Sequence, residues 1–466
     1  MAENSSTLWS DLRESVRGSH SHDYTQAPIG KSVLLLAVPM VLETFMESIF
    51  AVVDIFFVSR RGPASMATVG LTEAMLTILY SIAIGLCMGA AAIVARRTGE
   101  KNPDGAAIAA VQAILLGVAV SVPVAIFGGL FAPKLLGLMG ASEEVIREGS
   151  GYTRMMFAGN ATIIFLFLIN AIFRGAGDAA IAMRVLWFAN AINIALCPCF
   201  IFGLGPFPEL GVTGAAVATN IGRGTGVLYQ LSKLIRGHGR IQIRREHLKV
   251  DIPVIRSMIR ISGTGIIQSL VGTTSWLGLI RILSGFGSAA VAGYTVGIRI
   301  IVFALLPSWG MSNAAATLVG QNLGAGKPDR AEKSVWITCK YNFYFLGTIG
   351  LLFILLAERI IAIFTTDPTA MPYAIRCLRI VSFGFIFYAY GMVLTNAFNG
   401  AGDTATPTRI NLFCFWLWEV PLGWLLARTF GFGPTGVFLA ITIAFSTLAV
   451  VSAILFKRGH WKTGKV

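Results

Sequence analysis

The chain is short of charge. Asp, Glu, Lys and Arg make up 13% of its 466 residues, against about 25% in soluble globular proteins. So few charges cannot cover a surface exposed to water. With 55% hydrophobic residues, the same shortage excludes an intrinsically disordered chain. Cysteine is scarce: there are six, mostly inside apolar runs, which is no disulfide framework. Residues 1–30 are polar, with no apolar stretch and no small-residue cleavage site. They read as a cytosolic lead-in rather than a signal peptide. No polar stretch is long enough for a separate soluble domain.

What the chain has is apolar length. Its mean hydropathy is +0.72, and a bilayer-spanning helix needs about 20 apolar residues. Runs at 33–58, 66–95, 106–132, 151–172, 180–202 and 212–235 read as six spans. Runs at 258–283, 289–319, 333–357, 375–397, 407–430 and 434–456 read as six more. The expected fold class is an all-α polytopic membrane protein with twelve transmembrane helices.

The formal net charge of +14 first suggests nucleic acid, but its distribution argues for a membrane. With the N-terminus inside, most of the 37 Lys and Arg residues fall in the lead-in, the even-to-odd loops and the tail. This is the positive-inside pattern. It places both termini in the cytoplasm; the membrane expected for such a chain is the inner (plasma) membrane. The densest basic stretch, with Arg236, Arg240, Arg244, Arg245, Lys249 and Arg256, reads as a topology anchor beside anionic headgroups.

The chain is also two copies of one unit. Phe173-Arg-Gly-Ala-Gly-Asp178 returns 225 residues later as Phe398-Asn-Gly-Ala-Gly-Asp403. The same offset pairs Gly62 with Gly287, Gly99 with Gly324, Gly159 with Gly384 and Arg184 with Arg409. Six spans per copy make the repeats parallel, as in two-lobed transporters that rock about a central cleft. The boundaries that follow are a lead-in at 1–30, an N-lobe at 31–235, a basic connection at 236–256, a C-lobe at 257–456 and a cytosolic tail at 457–466. The Gly-Ala-Gly-Asp pieces read as helix stops and caps. With no Lys-Ser/Thr and no strand they are not phosphate loops.

Charges inside spans carry the functional argument, because intramembrane carboxylates mark ion and substrate routes. Span 1 holds Glu43, Glu47 and Asp54. At about 100° per residue their spacings of four and seven put all three on one stripe. The stripe either lines a cation pathway or pairs with the few basic residues nearby, Arg154 and Arg223. Pro39 precedes it and is a candidate hinge. Asn193 and Thr219 are neutral oxygen donors suited to Na+ or to helix contacts. Glu73 lies early in span 2, where an interfacial position and a site are both open. Gln268, Arg299 and Glu419 are secondary candidates in the C-lobe, with Arg299 the expected partner of Glu419. Cys197-Pro-Cys199 offers two thiols, too few for a zinc site. The five His residues lie outside the spans, which argues against an intramembrane enzyme.

On these residues the chain resembles the MATE (multidrug and toxic compound extrusion) family. The pieces that carry the likeness are Pro39-Met40, Val53-Asp-Ile-Phe-Phe-Val-Ser59, Ala64 to Gly70, Ala95-Arg-Arg-Thr-Gly99, the Phe173 motif with its repeat, and Gly211 to Ala216. They extend over residues 30 to 456. The resemblance implies a twelve-helix antiporter that exports amphiphilic, cationic organic compounds in exchange for H+ or Na+. It implies no cofactor, a small-molecule substrate, a bilayer, no nucleic-acid partner and a monomer. It places the coupling ion at Asp54, with Asn193 and Thr219 beside it and Pro39 as the bend; Glu47 joins this set from its place on the span-1 stripe, not from the resemblance. No metal is expected apart from Na+ at Asp54. Cys197 stands where many relatives carry an acid, and a thiol is no substitute for a carboxylate sodium ligand. Glu43 and Glu47 are extra acids, read as its replacement. Glu43, Glu47 and Asp54 are then the expected substrate contacts. The competing reading is a lipid-linked precursor flippase, which predicts a strongly cationic cavity.

Overall fold

The structure, a computed structural model, describes residues 8–18, 22–237 and 239–464. Parts of the lead-in and tail, with His20 and His238, lie outside the described residues. A short helix, α1 (Leu8–Arg17), precedes the N-lobe. That lobe is α2 (Ile29–Ser59), α3 (Pro63–Gly99), α4 (Pro103–Leu138), the pair α5 (Glu143–Ala158) and α6 (Asn160–Ala176), α7 (Ala179–Phe202) and α8 (Val212–Arg236). The C-lobe repeats the order with α9 (Ile252–Ser284), α10 (Ser288–Gly324), α11 (Pro328–Phe364) and the pair α12 (Met371–Phe383) and α13 (Phe385–Gly400). Its fifth span is composite. It runs from α14 (Ala405–Asn411) through a π-helical stretch, Leu412–Glu419, into α15 (Val420–Trp424) and a second π stretch, Leu425–Thr429. The sixth is α16 (Pro434–Lys457).

Among the described residues ten segments are long and apolar enough to cross a membrane, and the bent α12–α13 pair makes eleven. The helix α8 is the twelfth. Its 25 residues suffice at about 1.5 Å per residue, but Asn220, Arg223 and Gln230 lower its apolar character. Outward faces carry exposed apolar side chains such as Ile126, Phe127 and Leu130 on α4, the surface that lipid covers.

The duplication is visible in the backbone. The fourth span of each lobe breaks at equivalent glycines, Gly159 and Gly384, and the second break bends by 60°. Freed carbonyls at a break need donors from neighbouring helices. Asn220 of α8 donates to the Met155 carbonyl at 3.0 Å. Thr442 of α16 donates to the Ile380 carbonyl, its repeat counterpart, at 2.9 Å. The motif glycines Gly177 and Gly402 take φ of 92° and 83°, which ends each helix as expected. Asp403 then caps the next turn through the Thr406 amide. Asp178 instead accepts from the Arg240 amide.

The lobes cross reciprocally. The second helix of each packs against the first helix of the other: α3 on α9, and α10 on α2. Gly85 and Gly89 admit the Ser262 and Met258 backbone, and Gly310 admits that of Met40, beside Pro39. At the basic end the approach is closer still. A Cβ on Gly99 would overlap the Gln321 carbonyl, and one on Gly324 would overlap the Arg96 carbonyl, the same contact seen from the other repeat. A strap lies across this seam. Lys327 donates to the Thr25 carbonyl at 3.0 Å, Arg330 to the Tyr24 and Ala27 carbonyls, and Arg240 to the His22 carbonyl. The lobes are therefore sealed together at the basic end. Gly99→Val should break this seal, because a backbone carbonyl cannot swing aside as a side chain can. Dye efflux from cells expressing it should fall to background with the protein still present in the membrane. Normal efflux would mean that transport does not pass through this contact.

Candidate functional site

The acidic stripe of α2 faces into the N-lobe, as its spacing requires, but its members have different partners. Glu43 is 3% exposed and accepts from Arg174 at 2.7 Å and from Asn170 at 3.0 Å, both on α6. Gln230 of α8 holds Asn170 in turn at 2.6 Å. Glu47 meets Arg223 of α8 at 3.3 Å and Asn190 of α7 at 3.2 Å. Asp54 accepts the Cys197 thiol at 3.5 Å. Among the described residues it has no cation within ion-pair distance.

One expectation changes here. Glu43 is not a cleft-facing substrate contact: it is locked in a buried ion pair. Its partner is Arg174, which belongs to the repeat motif that read as a cytosolic loop. The last turn of α6 carries this arginine, and its long side chain reaches back along the helix to Glu43. Arg154, the other expected partner, is not used. Of the two positions left open for Glu73, the half-buried side chain takes one within electrostatic reach of Arg223, Asp54 and Glu47.

The N-lobe thus holds three carboxylates, Glu47, Asp54 and Glu73, around a single guanidinium, Arg223. Arg223 is buried, stacks over Phe50 at 5.2 Å and Phe167 at 5.9 Å, and also faces Tyr80. The cluster lacks positive charge, so it favours a bound proton or metal cation. Asn193 and Thr219 are joined to each other at 2.9 Å, bridging α7 to α8 beside the stripe. Pro39 sits inside an unbroken α2, buried where α10 crosses.

The C-lobe contains a cavity of about 380 Å³. Its walls come from α9, α10, α13, the π stretch and α16, with Ile84 and Met88 of α3 closing one side. Glu419 and Gln268 both line it. Arg299 does not join them: it lies on the exposed face of α10, while Glu419 is 2% exposed. The two secondary candidates therefore do not pair. Sequence reasoning missed the aromatic lining, Trp276, Tyr294, Tyr388, Phe415 and Phe445, because aromatics are plentiful in every span and only packing selects these. Nothing in its composition marks the π stretch; π segments recur at functional sites, and this one delivers Phe415 and Glu419 to the same wall.

The MatE family model matches residues 39–199 and 264–425, one match in each lobe. The chain belongs to the MATE family. It is 26% identical over 439 residues to the probable multidrug resistance protein NorM of Thermotoga maritima, covering 93% of each chain. It is 25% identical over 422 residues to the probable multidrug resistance protein YoeA of Bacillus subtilis, covering 90% of this chain and 91% of that one. A FAD transporter of Shewanella oneidensis is 25% identical over 441 residues, covering 94% and 96%. The fold matches an outward-facing multidrug resistance MATE transporter of the MOP superfamily, with a TM-score of 0.88 at 24% identity, over 97% and 98% of the two chains. A MOP superfamily transporter from Pyrococcus furiosus, described as having a binding pocket of reverse polarity, matches with a TM-score of 0.87 at 23% identity over the same shares. MATE proteins are transporters, not enzymes, and need no cofactor. This chain is accordingly a multi-pass membrane transporter.

Proposed function

We propose that this MATE protein is a secondary antiporter of the inner membrane, exporting amphiphilic organic cations against an inward flow of H+ or Na+. The observation that carries the reading is the N-lobe cluster, in which three carboxylates share Arg223. The coupling ion binds at Asp54 and Glu47, with Glu73 completing the set and Asn193–Thr219 bracing the helices behind it. The donor set suits a proton better than sodium. Asp54 is met by a thiol, which donates a hydrogen bond and offers sodium little. The N-lobe (31–235) and C-lobe (257–456) are the two rocking bodies, joined by the basic connection, with Pro39 the point where α2 bends. The protein works as a monomer with both termini in the cytoplasm.

The multidrug names of the relatives support drug export. The FAD transporter and the flippase alternative both call for a site that welcomes phosphate. The C-lobe cavity has Glu419 in its wall, and its lining includes no Lys, Arg or His among the described residues. Everted vesicles loaded by an imposed pH gradient or, separately, a sodium gradient test the coupling. Dye movement that follows the pH gradient alone is the expected result. Movement with sodium alone would shift the ion to the Asn193 side. No movement under either gradient would overturn the antiporter.

A further inference from the structure

The basic connection between the lobes turns its aliphatic side chains outward. It forms a 3-10 turn, Arg245–His247, and then runs into α9. Leu248, Val250 and Ile252 are 65%, 66% and 64% exposed. Arg244, Arg245 and Lys249 stand beside and among them and are exposed too. Glu246 meets Arg244 at 3.6 Å, while Arg245 and Lys249 have no acid partner among the described residues. Large aliphatic groups left in water are unfavourable. A strip that mixes them with unpaired cations is stable where hydrocarbon and anionic groups meet. Setting the orientation of the chain needs only the charges, so the outward aliphatic groups call for a further reason.

The strip is held in place by α4. His247 is buried, and its Nδ1 accepts the Arg244 amide at 3.1 Å. The other ring nitrogen, Nε2, therefore carries the hydrogen and donates to Asp104 of α4 at 3.2 Å. Further along α4, Gln112 donates to the Lys249 carbonyl at 2.7 Å and accepts the Asp251 amide at 3.2 Å. Asp251 then caps α9 through the Val254 amide at 3.1 Å. These bonds fix where the strip stands against the bilayer. The exposed large apolar side chains of α4 begin at Leu115, less than a turn beyond Gln112, and continue through Val118 and Val122. On α9, Ile252 is followed on the same face by exposed Ile259. Leu248, Val250 and Ile252 thus join the lipid-covered faces of both lobes.

We propose that this connection is an interfacial anchor for anionic phospholipid, with Leu248, Val250 and Ile252 in the headgroup–acyl boundary and Arg245 and Lys249 on the phosphate groups. The partner is the bilayer rather than a soluble protein, because the strip is continuous with surface that lipid already covers. The connection is bonded to α4 of one lobe and leads directly into α9 of the other. Lipid held there braces the lobes against each other at one leaflet.

Hydrogen exchange of the parent chain in nanodiscs tests the anchor, read on the backbone amides of residues 244–250. One bilayer is phosphatidylcholine alone; the other is phosphatidylcholine and phosphatidylglycerol in equal parts. Exchange should be slower in the second by about tenfold or more, the scale of two unpaired basic groups at an anionic surface. The triple substitution Arg244→Gln, Arg245→Gln and Lys249→Gln should remove the difference between the bilayers. Leu248→Ser with Val250→Ser should speed exchange in both. Loss of the docking on α4 would also speed exchange in both bilayers, so the difference between them is the informative reading. Equal exchange of the parent chain in the two bilayers, or a difference that survives the triple substitution, would overturn the anchor. Slowing by soluble glycerol phosphate in the phosphatidylcholine discs would overturn it in favour of a site for free phosphate. Should the triple variant fail to insert, the salt response of the parent chain decides. Added sodium chloride screens charge and should shrink the difference between the bilayers; a difference that salt leaves untouched would overturn the proposal.

Discussion

Asp54→Asn is expected to abolish gradient-driven efflux while leaving the protein folded. The amide has the size of the carboxylate and still accepts the Cys197 thiol, so the α2–α7 contact persists. What disappears is the ability to carry an ion, since an amide neither takes up a proton nor offers a charge to sodium. A 100 mV gradient supplies about 2.3 kcal/mol per charge, enough to hold a substrate ratio of about 50-fold. In vesicles containing Asp54→Asn that ratio should collapse to about 1, the value for no coupling. Glu43→Gln makes a contrast, because its target is committed to Arg174 and not free to exchange. A mutant at Asp54 that pumps dye like the parent protein would remove the N-lobe cluster from the mechanism.

The second large effect concerns that committed pair. Arg174→Asn leaves the Glu43 carboxylate buried without its cation. Removing one partner of a buried ion pair commonly costs about 3–5 kcal/mol. The double substitution Glu43→Gln with Arg174→Asn should recover most of this loss, because two neutral amides replace two charges. The repeat counterparts of Glu43 and Arg174 are Gln268 and Asn399, two amides that make no hydrogen bond to each other among the described residues. Thermal unfolding in detergent would show it as a deep drop in Tm for the single change and a return toward the parent value for the double. A double variant no more stable than Arg174→Asn would mean that the two side chains do not act as a unit.

The same repeat offset explains what was and was not legible at this site. The stripe of Glu43, Glu47 and Asp54 follows from the helical period, so its inward direction was readable. Arg174 was not, because its motif ends a helix and its position in sequence looks cytosolic. The signal was nonetheless present. Acid and base in one repeat both become amides in the other, the pattern expected of residues in contact. Glu73 stayed undecided in the sequence for a different reason. A position near a helix end does not say which way the side chain faces, and α8 brings Arg223 to it only in the folded lobe.

Composition, apolar length, the duplication and the loop charges between them determined a two-lobed helical membrane protein and its family. They could do so because a bilayer imposes span length and burial on each segment separately, and a repeat imposes its own symmetry. Tertiary structure alone decided which charges neutralise each other and where a substrate can lie. Arg174 meets Glu43 by reaching back along α6. The C-lobe cavity gathers Glu419, Gln268 and its aromatic wall from helices far apart in sequence. Those meetings depend on helix crossings and side-chain reach, which no local pattern encodes.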